Sequence, residues 1–220
     1  MNVIIFGATG MIGQGVLREC LADPQVERVL AVGRTPLAAE APKLRQLQPG
    51  SFLDYAGLEA DLAGYDACFF CLGVSSLGMK EADYRHITYD YTLAAGRTLV
   101  RLNPGMSFLY VSGAGTGGRS MWARVKGETE DALLALPFKA TYLLRPGFIQ
   151  PLHGIRSKTP LYHLIYRLTG ALVPLLKRLL PGLVLTTEEL GRAMIRLARD
   201  GYPRPRLEVG DLRAAGAVRP

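Results

Sequence analysis

Short apolar blocks alternate along the chain with stretches whose apolar positions recur every three to four residues. Val3 to Phe6 is wholly apolar and rich in β-branched side chains, as in a parallel strand covered on both faces. Beyond a glycine turn, Ile12, Val16 and Cys20 form one helical stripe with Leu17 and Leu21 beside it, and Asp23-Pro24 ends it. Arg28 to Val32 reads as a second strand, so residues 3–32 make one βαβ unit. The pattern predicts further strands at Ser51-Phe52-Leu53, Asp66 to Leu72, Met106 to Val111 and Ala140 to Leu144. Helices are expected over Lys80 to Leu102 and Trp122 to Leu136. Strands separated by helices imply an α/β domain over residues 1–150, with an open, doubly wound parallel sheet and right-handed crossovers.

The texture changes after Pro151. Leu161 to Leu180 reads as helical segments, and Thr186-Thr187-Glu188-Glu189 carries the capping-box pattern of a helix that runs to Gly201. Arg206 to Val209 is a last short strand. Residues 151–220 are expected to form a small, mainly helical lobe packed on the sheet. Along the helix before Gly201, Arg192, Arg196 and Arg199 lie opposite Leu190, Met194 and Leu197, the look of a solvated stripe.

With 49% hydrophobic and 20% charged residues in 220, the chain is not intrinsically disordered. The net charge of +7 is unevenly placed. Residues 1–150 hold 14 basic and 14 acidic side chains, and residues 151–220 hold 12 and 5. Between Asp131 and Glu188 there is no acidic residue, whereas Lys139, Arg145, Arg156, Lys158, Arg167, Lys177 and Arg178 all fall there. Such a surface suits an anionic small-molecule substrate or a peripheral contact with an anionic membrane. An ordinary lobe packed on the sheet accounts for the same pattern. No nucleic-acid-binding motif is present.

The opening residues lack a basic, cleavable leader. The most apolar segment, Leu161 to Leu185, is interrupted by His163, Arg167, Lys177 and Arg178 and falls short of a spanning helix. A cytosolic, reducing location is the expectation. Cys68-Phe-Phe-Cys71 matches a CxxC spacing but sits in a strand pattern, where side chains three apart point to opposite faces. With His86, His153 and His163 scattered, no metal site is expected.

Gly7-Ala8-Thr9-Gly10-Met11-Ile12-Gly13 places three glycines three apart, between strand and helix. One permits the tight turn, one lets the backbone approach a diphosphate, and one lets helix and strand pack closely, while the helix N-terminus supplies N–H donors. This predicts a dinucleotide site. The second strand ends in Gly33-Arg34-Thr35 rather than an acidic residue. Arg34 suits a 2′-phosphate and Thr35 adds a hydroxyl, which favours NADP over NAD. Asp54, after the expected third strand, is a candidate for the adenine edge.

The chain resembles the extended and atypical short-chain dehydrogenase/reductases, an NAD-dependent epimerase/dehydratase-like group with NmrA-like and Tat-interacting-protein-like members. The resemblance rests on residues 7–13, on Cys71-Leu72-Gly73, Tyr89-Asp90-Tyr91 and Val111-Ser112-Gly113, and on Val125-Lys126-Gly127-Glu128 and Arg145-Pro146-Gly147. It implies a Rossmann sheet of order 3-2-1-4-5-6, with Cys71 to Gly73 beside the cofactor, Lys126 on the nicotinamide ribose and Pro146, Gly147 and Phe148 flanking the nicotinamide. Ser112 and Lys126 would be the catalytic pair. The family's usual active site joins Ser to Tyr-x-x-x-Lys, which places both side chains on one helix face. Here the residue four before Lys126 is Trp122, whose indole N–H donates but does not titrate usefully. Three accounts remain open: hydride transfer to an acceptor that finds its proton elsewhere, a different acid among His86, Tyr89 and Tyr91, or a non-catalytic NAD(P)-sensing protein.

Overall fold

A computed structural model describes residues 1–155 and 184–217. Its main sheet has seven parallel strands: β1 (Asn2–Phe6), β2 (Arg28–Val32), β3 (Leu44–Leu47), β4 (Ala67–Phe70), β5 (Ser107–Val111), β6 (Ala140–Arg145) and β9 (Arg206–Glu208). Their spatial order is β3-β2-β1-β4-β5-β6-β9. The expected 3-2-1-4-5-6 Rossmann order is therefore present, with one further strand beyond β6. Strands β7 (Phe148–Gln150) and β8 (Val184–Thr186) pair parallel in a separate ribbon.

Strand alternation sends successive side chains to opposite faces. Val3 and Ile5 join Val16, Cys20, Leu190 and Met194 in one core cluster. Ile4 and Phe6 join Phe70, Leu99, Phe108 and Leu133 in the other. Helices α1 (Met11–Ala22), α6 (Thr187–Asp200) and α7 (Val209–Gly216) cover the first face, and α4 (Tyr91–Leu102) and α5 (Met121–Leu134) the second. A methyl on Gly15 of α1 would meet Thr187 Cβ at 2.5 Å, so α1 and α6 approach almost backbone to backbone. The described part of residues 151–220 thus adds a strand to the sheet and helices to its core. The expected segments over 161–180 lie outside the described residues, as do Arg156, Lys158, Arg167, Lys177 and Arg178.

The strand expected at Ser51-Phe52-Leu53 is not one. Strand β3 lies earlier, at Leu44-Arg45-Gln46-Leu47, on the sheet edge with both central residues exposed. An edge strand with solvated central residues and only Leu44 and Leu47 packed on the cores needs no apolar block, which is why its pattern is silent. Phe52 is buried from a loop, against Phe6 and Tyr91. The helix expected over Lys80 to Leu102 follows short α2 (Glu59–Leu62) and comprises α3 (Glu81–Arg85), a π-helical turn over His86–Asp90, and α4. On the arginine face of α6, Arg192 pairs with Glu188 at 2.6 Å, half-buried Arg196 bonds the Ala215 and Ala217 carbonyls, and exposed Arg199 pairs with Asp200.

Candidate functional site

The cleft lies at the carboxyl ends of the central strands, where the β1 and β4 crossovers diverge to opposite sides, the ligand position expected of an open α/β sheet. Gly7 holds φ +79°, and a Cβ there would sit 2.7 Å from the Leu72 backbone. A Cβ on Gly13 would lie 2.1 Å from the Gly7 carbonyl oxygen. Gly10 N–H donates to that carbonyl at 2.9 Å, and Gln14 Nε2 holds the Thr9 carbonyl at 3.0 Å. Helix α1 begins at Met11 with no side-chain cap, so its first-turn N–H groups remain for an external acceptor. Only glycine fits at Gly7 and Gly13, because a Cβ at either would collide with neighbouring backbone.

Two adjoining hollows flank the turn. One, of about 480 Å³, is lined by Gly7, Thr9, Gly10, Arg34 and Thr35, with Ile87 and Tyr91 from the π-turn region on its far wall. The other, of about 370 Å³, is lined by Met11, Ile12, Ser112, Lys126 and the Pro146-Gly147-Phe148 segment. Cys71, Leu72 and Gly73 border both. Gly13 lies beneath, where it sets the helix–strand approach. The guanidinium of exposed Arg34 has no ion-pair partner among the described residues. Asp54 is not part of either wall. Its carboxylate accepts from Ala56 N–H at 2.9 Å in an exposed turn, because the strand expected to deliver it to the adenine does not exist.

At the inner end, Lys126 Nζ donates to the Ser112 carbonyl. Burial pulls the ammonium down to about 8, against an opposing pull from Glu130. Ser112 is 2% exposed, and its hydroxyl lies 2.6 Å from Glu130 Oε1 and 3.0 Å from the Leu144 carbonyl. Both of these partners are protein groups, and Ser112 also lines the inner hollow. Glu130, fully buried, also takes Arg145 Nε at 3.0 Å and Nη2 at 2.5 Å. No sequence motif had pointed to Glu130. Its signal was its spacing, one helical turn after Lys126.

Trp122 packs over the loop before α5: a Cβ on Gly115 would lie 3.4 Å from its ring. Of the alternative acids, Tyr89 lies under the Arg85 guanidinium at 4.2 Å, and His86 pairs with Asp90 at 3.1 Å. Tyr91 alone of the three borders the cleft. Cys68 and Cys71 belong to opposite core faces, as strand geometry requires. Burial pushes the Cys71 thiol up to about 12, so it is not a ready nucleophile. Among the described residues no cluster of His, Cys, Asp and Glu could hold a metal ion, and no helix is long and apolar enough to cross a membrane.

No family model matches the chain. The solved structures it resembles include the reductase domain of PhqB from Penicillium fellutanum, with a TM-score of 0.70 and 17% identity over 96% of this chain and 67% of that one. MoeE5 in complex with UDP-glucose and NAD gives 0.68 and 16% over 96% and 79%. WbmF of Bordetella bronchiseptica in complex with NAD+ gives 0.64 and 17% over 97% and 76%. The fold is that of the NAD-dependent epimerase/dehydratase-like short-chain dehydrogenase/reductases, as the resemblance implied.

Among curated proteins, the chain is similar to the mitochondrial protein fmp52 of Emericella nidulans, 31% identical over 159 residues. That match spans 67% of this chain and 66% of the relative's length. FMP52-2 of Scheffersomyces stipitis is 25% identical over 219 residues, 94% of this chain and 91% of the relative. These relatives are named as mitochondrial proteins, which overturns the cytosolic location expected from the opening residues and the interrupted apolar segment.

Proposed function

We propose that the cleft binds NADP(H) and that the chain is a reductase acting on a small acceptor. The observation that carries this is the uncapped N-terminus of α1, which faces the two hollows from a turn so closely packed on its own backbone that only glycine fits at Gly7 and Gly13. The neighbours described as NAD complexes support a nicotinamide dinucleotide in the same fold. Arg34 and Thr35 at the outer hollow support the 2′-phosphorylated form, since an unpaired guanidinium there suits a phosphate and no acidic side chain from β2 borders the hollow.

When bound, the dinucleotide would supply hydride chemistry at the inner hollow. Lys126 would hold the nicotinamide ribose, and Pro146, Gly147 and Phe148 would flank the ring. The inner wall is largely apolar, with Met11, Ile12, Val111 and Phe148, and Lys126 is the one formally charged side chain in it among the described residues. Arg145 does not serve an anionic substrate, because Glu130 and Glu208 engage it, and Lys139 is exposed at the opposite, amino end of β6. A quinone, flavin or other conjugated acceptor fits a site with Trp122 in place of the usual tyrosine.

The second reading, a dinucleotide-sensing protein without turnover, is favoured by the same Trp122 and by the engaged Ser112 hydroxyl. Stopped-flow mixing of the NADPH-loaded protein with quinones, flavins and aldehydes separates the two. Decay of the reduced nicotinamide band with one acceptor class supports the reductase, and a constant signal with all of them supports the sensor.

A further inference from the structure

Behind the Lys126 side of the inner hollow, the buried side chains of Ser112 and Glu130 meet the largely buried Arg145. Glu130 is fully buried on α5, one turn beyond Lys126. Its Oε1 is 2.6 Å from Ser112 Oγ, and its Oε2 is 2.5 Å from Arg145 Nη2 and 3.4 Å from Arg206 Nε. Arg145 also reaches Glu208 at 3.3 Å, and Arg206 reaches Asp131 at 2.6 Å. Residues from α5, β5, β6 and β9 therefore meet on one carboxylate.

A buried carboxylate without a function is a poor choice for stability, since apolar side chains of similar volume often fill such a place as well or better. What this carboxylate touches is the Ser112 side chain, and Ser112 presents its main-chain carbonyl to the Lys126 ammonium.

We propose that Glu130 is a positioning residue of the cleft: clamped by Arg145, it fixes Ser112 at the end of β5, so that the Ser112 carbonyl seats Lys126 toward the bound dinucleotide. The assignment rests on the reading of the cleft as a dinucleotide site for its purpose, but not for its geometry. A carboxylate at this depth also favours the charged form of Lys126, opposing the burial that lowers it. Other titratable groups packed around it are accounted for. Tyr110 on β5 and Tyr84 on α3 are buried phenols, held neutral by desolvation. Cys71, at the end of β4, is a neutral thiol. Arg85 and Arg124 are occupied by Glu128 and Glu81 on the outer side of α5, and His86 by Asp90.

The chain has six lysines, few enough for ¹³Cε-lysine NMR titration of each, with Lys126 assigned by its absence in Lys126→Arg. The wild-type signal is expected to titrate near pH 8. In Glu130→Gln the Lys126 midpoint is expected to fall by roughly one pH unit while the other lysines stay put. NADPH affinity at pH 7.5 is expected to fall about tenfold, although Glu130 does not border the cleft. Loss of the Glu130 charge by itself lowers the Lys126 midpoint, so an unchanged NADPH affinity in Glu130→Gln overturns the positioning role. An unchanged or raised Lys126 midpoint overturns the proposal, as does a shift common to all six lysines. Should Glu130→Gln not fold, Glu130→Asp keeps the charge and shortens the reach. A Lys126 midpoint lowered by about half a unit then supports the proposal, and an unmoved one overturns it. If Lys126 shifts as expected but wild type binds no NADPH, the positioning role stands and the dinucleotide reading fails.

Discussion

A methyl group placed on Gly13 would lie 2.1 Å from the carbonyl oxygen of Gly7. Helix α1 can start where it does only because Gly13 carries no side chain toward that carbonyl. Gly13→Ala is accordingly expected to push α1 away from β1, at a cost of about 1–3 kcal/mol. NADPH binding should be lost with it. Urea unfolding and calorimetry check the two effects together. A variant as stable as wild type that still binds NADPH would remove Gly13 from the account.

Arg34 is exposed and unpaired among the described residues, so its removal costs the fold little. Arg34→Ala is expected to weaken NADP by about tenfold or more, the worth of a charge-assisted pair with phosphate. NAD affinity should stay within twofold. Equal losses for the two dinucleotides would mean that Arg34 does not read the 2′-phosphate.

The Arg145–Glu130 pair has side-chain exposures of 18% and 1%, so solvent screens it little. Arg145→Met leaves a buried carboxylate without its main partner and should cost about 3–5 kcal/mol in chemical denaturation. An unaltered midpoint would show that Arg206 alone suffices for Glu130.

Burial lowers the Lys126 ammonium to about 8 in the folded chain, from an ordinary value of 10.5. Between these limits the unfolded chain holds the proton that the folded chain has released, so stability attributable to Lys126 rises with pH. Lys126→Met has no such dependence. The stability of wild type relative to Lys126→Met is therefore expected to improve by roughly 2–3 kcal/mol from pH 7.5 to 10. Comparing the two proteins cancels the opposing trend from buried thiols and phenols. A constant difference across that range would contradict the buried ammonium.

How much of this was legible in the sequence depended on what each residue had to satisfy. Val3 to Phe6 and Ala67 to Phe70 are covered on both faces and advertise themselves as apolar blocks. The α6 cap was equally plain: Thr186 Oγ1 accepts from Glu189 N–H at 3.0 Å, and Glu189 Oε2 accepts from Thr186 N–H at 2.7 Å. Leu44 to Leu47 was not, because an exposed edge strand is specified by its neighbour β2 and not by its own pattern. The π-turn at His86–Asp90 left no pattern either, yet Ile87 within it and Tyr91 just after it border the outer hollow. At the site, the glycine spacing pointed to the tight turn between β1 and α1. It could not show that the Ser112 hydroxyl turns inward, since that depends on Glu130 and Arg145 meeting from separate elements.

The most direct measurement is calorimetric titration of the purified protein with NAD, NADH, NADP and NADPH. The account predicts saturable one-to-one binding, tighter for the 2′-phosphorylated pair. No detectable heat or fluorescence change with any of the four at millimolar concentration would contradict it.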